Sequence, residues 1–109
     1  HAAEFLVIPS RLEAMSIVAL EAGICGTPVI MTDECGFSDM VSAGGAMEVP
    51  VDGVPLMEAL SILMESQSTV LQMGEKAKIF IKENYTWEMS AQQHRTLCDS
   101  LLAADVKDN

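Results

Sequence analysis

Two carboxylates frame the stretch EAMSIVALE. Glu13 opens it and Glu21 closes it eight positions later, with an apolar run between them. A carboxylate accepts hydrogen bonds from hydroxyls more strongly than a neutral acceptor does. Two such groups at opposite ends of a short segment suit a ligand that carries hydroxyls at both ends. The segment follows FLVIPSR, and Ser16 is a good helix N-cap. The first amides of a helix starting there have no acceptor inside the helix, and the dipole adds partial positive charge. Backbone N–H groups near Met15, Ser16, Ile17 and Val18 are therefore placed to hold a phosphate between the two hydroxyl-bearing ends. Eight residues of regular helix turn a side chain by ~80°, so the two glutamates do not share a face and Glu13 has to be placed by its loop. The same residues also allow a purely structural reading. Glu13 is then an exposed loop acid favoured by the dipole, and Glu21 a partly exposed helix position.

The elements that must position these groups are legible as apolar runs. EFLVIP, ending at Pro9, suits a central parallel strand covered on both faces. Ser10 to Met15 reads as a loop, SIVALEAGIC as a helix with Cys25 in the core, and Gly26 as its stop. PVIMTD follows as a second strand, which completes a strand–helix–strand unit. In such sheets ligands sit beyond the carboxyl ends of the strands, where PSRLEAMS falls. A short helix is predicted over Ser38 to Ser42, a turn at Gly44-Gly45 and a third strand at MEVPV. Helical spacing recurs over Val54 to Met64, Val70 to Ile81 and Trp87 to Leu102, the last with Leu97, Leu101 and Leu102 on one face. The reading is a single α/β domain over 1–109, about three short parallel strands with flanking helices and a helical C-terminal region.

Composition narrows the partners. Half of the 109 residues are apolar, only 5% are aromatic and eight are methionine. Small domains bury a smaller share of their surface, so part of this apolar character is expected to meet something else, as in a homodimer. The formal net charge of -10 leaves no basic footprint for nucleic acid and no attraction to anionic membranes. Lys76, Lys78 and Lys82 alternate with Glu75 and Glu83 and read as a solvated helix face. Three cysteines without a CxxC read as reduced thiols, and His94 in QQHR reads as a surface position. No metal is expected, since no Asp-x-Asp or histidine cluster occurs. No apolar run nears the ~18 residues of a membrane span, and no signal peptide opens the chain. With no initiator methionine and a strand starting almost at once, a piece of a larger protein is expected.

The string PSRLEAMSIVALEAGICGTPVIMTDECG resembles the signature of retaining glycosyltransferases of the GT-B fold, family four (glycosyl transferases group one). The matching parts are Pro9-Ser10, the E-x7-E pair Glu13 and Glu21, Glu21-Ala22, CGTPV from Cys25 to Val29, and Cys35-Gly36. A weaker similarity continues through MEVPVDG, LMEALSILM and YTWEMSAQQH. The resemblance implies a partial Rossmann-like fold, the C-terminal portion of a donor-binding GT-B domain. It implies Glu13 as the catalytic position beside the transferred sugar, amides near Met15, Ser16, Ile17 and Val18 on the sugar and diphosphate, and Glu21 on the ribose hydroxyls. The partners implied are a nucleotide-sugar donor and a missing N-terminal acceptor-binding domain, with no metal cofactor. The setting implied is cytoplasmic glycan biosynthesis, peripheral at the inner membrane only through the acceptor or the missing half. Two departures stand out. The E-G-F-G pattern of many members is EAMS here, and the glycine-bearing turn CGFSD offers Asp39 where a glutamate is common. A GT-B relative that isomerises a nucleotide sugar, and a non-catalytic interaction domain, are the alternative readings.

Overall fold

The computed structural model describes residues 2–13 and 15–107; Ala14, inside the EAMS motif, lies outside them. The elements run β1 (Leu6–Ile8), α1 (Ile17–Ile24), β2 (Val29–Thr32), α2 (Ser38–Ser42), β3 (Ala46–Val49), α3 (Gly53–Glu65), α4 (Gln67–Asn84) and α5 (Trp87–Lys107). The three strands are parallel, in the order β1-β2-β3. Leu6 stands opposite Val29, and Val29 opposite Ala46. All four residues of β2 are buried, as a central parallel strand requires, whereas those of β1 are half-buried.

Helices cover both faces of the sheet, and the strands divide their side chains accordingly. Leu6, Ile8, Val29 and Met31 point to one face, where Ala19 of α1, Met40 of α2 and Ala77 and Ile81 of α4 meet them. Val7 and Ile30 point to the other face, against Ala59 and Leu63 of α3 and Val70 of α4. Helix α4 thus contributes to both clusters. It approaches the end of α1 closely, because Gly74 lies against the Gly26 carbonyl and a Cβ on Gly74 would overlap that oxygen. Gly26 itself has φ +77°, a left-handed geometry that lets the chain turn out of α1 into β2 at no steric cost.

The structure corrects several sequence expectations. Cys25 is exposed rather than core, because α1 ends at Ile24 and Cys25 is the cap that follows the last turn. The third strand is 46–49 instead of 47–51, since Pro50 has no N–H to continue the ladder. Helix α4 starts at Gln67, three residues before its apolar periodicity, because Ser66 caps it by accepting from the Thr69 amide at 3.3 Å. Helix α5 runs on to Lys107, and its residues 91–106 are all exposed. Leu97, Leu101 and Leu102 are therefore uncovered, and the molecule is elongated at 62 × 26 × 19 Å. Among the described residues no helix is long and apolar enough to cross a membrane.

Candidate functional site

The loop after β1 is fastened to the turn after β2. Thr32 Oγ1 donates to the Ser10 carbonyl. The Cys35 thiol lies 3.6 Å from the Ile8 carbonyl, as its donor, and 3.4 Å from Thr32 Oγ1. The Glu13 amide donates to the Glu34 carbonyl at 3.0 Å. Thr32 and Cys35 are both buried, so these bonds form away from water and set the height of the loop above the sheet. Sequence reading missed this pair and took Cys35 only as a reduced thiol. The available signal was TDEC, two small hydrogen-bonding residues three apart at the carboxyl end of a buried strand.

Glu13 itself is half-buried, and its Oε2 is sealed from solvent without a hydrogen-bond partner among the described residues. An unsatisfied buried acceptor costs about 1–3 kcal/mol, and more when charged. Buried polar groups are seldom left without a partner, whether protein or water. Among the described residues no ion pair to it is found. Arg11 is exposed, and the ion pair found among the described residues is Arg95–Asp99 at 4.0 Å on the surface of α5.

Ser16 is the N-cap of α1, as its residue type indicates. Its hydroxyl accepts from the Ala19 amide at 3.2 Å, and the residue is 1% exposed. The serine that stands where many family members have glycine thus turns its side chain inward, onto the first turn of α1. The amides of Ile17 and Val18 open the helix and have no acceptor inside it. Their side chains are exposed, as is that of Met15. Glu21 stands about one turn further on, on the solvent side of α1, while Ala19 and Gly23 face the core. The fold therefore places Glu13, Met15 and the start of α1 in one stretch at the carboxyl end of the sheet, with Glu21 exposed in the next turn. Among the described residues no group of three His, Cys, Asp or Glu is arranged to hold a metal ion. His94 is exposed, with Nδ1 2.7 Å from the Ser90 carbonyl of its own helix.

Beside this stretch lies a cleft of about 910 Å³. One wall is the end of α2, with Asp39 and Ser42, and the other is the junction of α4 and α5. Met15 reaches its rim from the loop of Glu13. Aromatic rings build the base: Tyr85 meets Phe37 edge-on at 5.3 Å and Phe80 at 5.7 Å. Burial, and then the charge of nearby Asp39, push the Tyr85 phenol above its ordinary pKa. Sequence reading had only the broken helix at YTW as a signal for this cleft, and aromatic residues around a helix break are as often packing as site.

Against known proteins, the profile of the family described as "Glycosyl transferases group 1" matches residues 1–80. The D-inositol 3-phosphate glycosyltransferase of Kribbella flavida is 33% identical, over 94% of this chain and 26% of that protein. Its counterpart in Paenarthrobacter aurescens is 36% identical, over 84% of this chain and 22% of that protein. Among solved structures, sucrose-phosphate synthase from Thermosynechococcus elongatus superposes with a TM-score of 0.83 at 30% identity, over 94% of this chain and 26% of that one. The chain thus spans about a quarter of the length of these relatives. Its parallel α/β fold and the family resemblance read from PSRLEAMSIVALEAGICGTPV agree with these matches, and the chain belongs to the glycosyl transferases group 1 family.

Proposed function

We propose that this chain forms part of the donor-binding half of a retaining glycosyltransferase, which moves a sugar from a nucleotide sugar to an acceptor hydroxyl. The observation that carries the reading is the capped start of α1, whose first amides lie beside Glu13 at the carboxyl end of the sheet. Glu13 stands beside the transferred sugar. The Ile17 and Val18 amides face the diphosphate, with the backbone at Met15 and Ser16 leading up to it, and the helix dipole stabilises the charge that grows on the leaving group. Glu21 accepts from the ribose hydroxyls one turn along. In the reaction the bond between the sugar carbon and the diphosphate oxygen breaks, and its electron pair leaves with the nucleoside diphosphate. The acceptor oxygen bonds to the same face of that carbon and passes its proton to the departing diphosphate oxygen. The relatives' names, which speak of transfer to inositol 3-phosphate and of sucrose-phosphate synthesis, support the same class of reaction.

The chain alone holds few of the donor's contacts. Two or three amide bonds at ~1 kcal/mol each, and ~2 from a carboxylate, sum to roughly 5 kcal/mol. That corresponds to a Kd of about 0.2 mM before association costs weaken it. The chain by itself is therefore expected to bind donor weakly and transfer nothing. An amide NMR titration with UDP, GDP and ADP tests the site: saturable shifts at 13, 15–18 and 21 for one nucleotide support it, and shifts elsewhere only oppose it. In the full-length protein, Glu13→Gln should lower transfer by ~100-fold or more while donor affinity changes far less. Undiminished transfer by that variant would leave the motif a relic of the fold.

Residues 1–109 are proposed as one domain, the C-terminal portion of the nucleotide-sugar-binding domain. The rest of the enzyme supplies the acceptor side. Its setting is proposed as cytoplasmic glycan synthesis, with any contact with the inner membrane made through the acceptor or the rest of the protein. The isolated chain is proposed to pair with itself through its uncovered apolar surface.

A further inference from the structure

From the bonds that hold the Glu13 loop, we propose that Thr32 is a positioning residue of the transfer reaction, with Cys35 as its second. Together they fix where Glu13 stands against the bound sugar. The role in transfer rests on the proposed function, whereas the clamp itself stands on hydrogen bonds of the fold. Strand β1 pairs with β2 as far as Ile8, opposite Met31. Pro9 comes next and has no N–H with which to continue a ladder. Side chains take over where the backbone stops. The Thr32 hydroxyl donates to the Ser10 carbonyl, and the Cys35 thiol donates to the Ile8 carbonyl at 3.6 Å. A threonine hydroxyl has one proton, here given to Ser10, so toward the thiol at 3.4 Å its oxygen accepts. The carbonyls on both sides of Pro9 are thus held by one turn of the next strand. The Glu13 amide reaches the same turn, at the Glu34 carbonyl.

That turn is a firm anchor. Thr32 ends the fully buried strand β2, and Cys35 is buried too. The Cys35 amide donates to the Thr32 carbonyl at 3.1 Å and closes the turn, while the Asp33 amide donates to the Val49 carbonyl of β3 at 2.9 Å. The middle of the sheet therefore dictates where the loop sits, rather than β1, which is half-buried at its edge. A displacement of about 1 Å at a reacting centre can cost as much as ~100-fold in rate. A hydroxyl that never meets the substrate acts on the reaction in this way. Its loss moves Glu13, while the Ile17 and Val18 amides proposed to face the diphosphate keep their own support, the Ser16 cap. Turnover then falls without a matching loss of donor binding.

The test compares two variants in the full-length protein. Thr32→Val keeps the shape of the side chain and removes the hydroxyl, whereas Thr32→Ser keeps the hydroxyl. Thr32→Val should lower kcat by roughly tenfold with the donor KM within about twofold, and Thr32→Ser should stay within about threefold of wild type. In a Glu13→Gln background Thr32→Val should change kcat by less than about twofold, because a residue acting through Glu13 has nothing left to position. In the 109-residue chain, hydrogen exchange of the Glu13 amide should quicken by about tenfold in Thr32→Val and hold near wild type in Thr32→Ser. Cys35→Ala, which keeps the Thr32–Ser10 bond, should lower kcat by roughly threefold and serves where Thr32→Val does not fold. Full turnover in Thr32→Val, or in Cys35→Ala where it stands in, overturns the proposal. So do a raised KM at unchanged kcat, unchanged exchange at Glu13, and a further tenfold loss in the Glu13→Gln background. Each of these leaves the donor reading in place as long as Glu13→Gln alone is slow. Undiminished transfer by Glu13→Gln removes that reading and the role of Thr32 with it.

Discussion

At the scale of single residues, the chemistry of this chain rests on groups whose state is set by what surrounds them. Tyr85 is one whose consequence is measurable. Burial first, and Asp39 second, raise its pKa in the folded chain. The folded state then holds the phenolic proton more tightly than the unfolded state does. The resulting stability is fully present below the unfolded pKa of about 10 and is lost as pH rises through the folded value. Urea unfolding of the wild type should therefore show stability falling above pH ~10, and Tyr85→Phe should flatten that slope. An equal slope in both would place the alkaline loss elsewhere. Glu13 and Ser16 show how far residue types could be read in advance. Ser16 was recognisable as a cap from its type and place, and it caps. Glu13 was recognisable as a candidate from its spacing to Glu21. That one of its oxygens is sealed without a partner depends on Thr32, Cys35 and Glu34 drawing the loop down from another strand's turn. No local pattern encodes that contact.

At the scale of elements, the parts nearest the site were also the most legible. FLVI and PVIMT are parallel strands with continuous apolar runs, the first half-buried and the second buried, and α1 carries a cap at one end and a left-handed glycine at the other. Element ends further along depended on polar residues that carry no periodicity, such as the QST turn that opens α4. Close approach between elements was invisible too, because a glycine in a helix reads as a weakness until its neighbour is known. Gly74 shows the point. Gly74→Ala raises helix propensity yet forces a methyl into the Gly26 carbonyl, and should cost about 1–3 kcal/mol. Gly53→Ala at the start of α3 meets nothing within 4 Å and should be neutral or stabilising by up to ~1 kcal/mol. Urea midpoints of the two variants decide it: similar values would mean that α4 can step away from α1 without loss.

At the scale of the whole molecule, apolar surface is left on several sides. Ile17, Val18 and Ile24 on α1 and Leu97, Leu101 and Leu102 on α5 are exposed, and β1 has a neighbour on one side only. Composition announced this excess, but only the fold shows where it gathers. Unpaired strand edges and apolar faces favour pairing between copies, so sedimentation of the isolated chain should show dimers or larger species as concentration rises. A clean monomer at high concentration would show that these surfaces stay solvated.

Helix α5 adds a different consequence. Its 21 residues extend ~31 Å along the helix axis, and residues 91–106 are all exposed. A solitary helix of that length is marginal in water, because each turn is held only by its own backbone bonds. Cooperative melting of the whole chain is therefore not expected: on warming, the outer turns of α5 should unwind gradually, while the sheet and the helices packed on it should keep a sharp transition of their own.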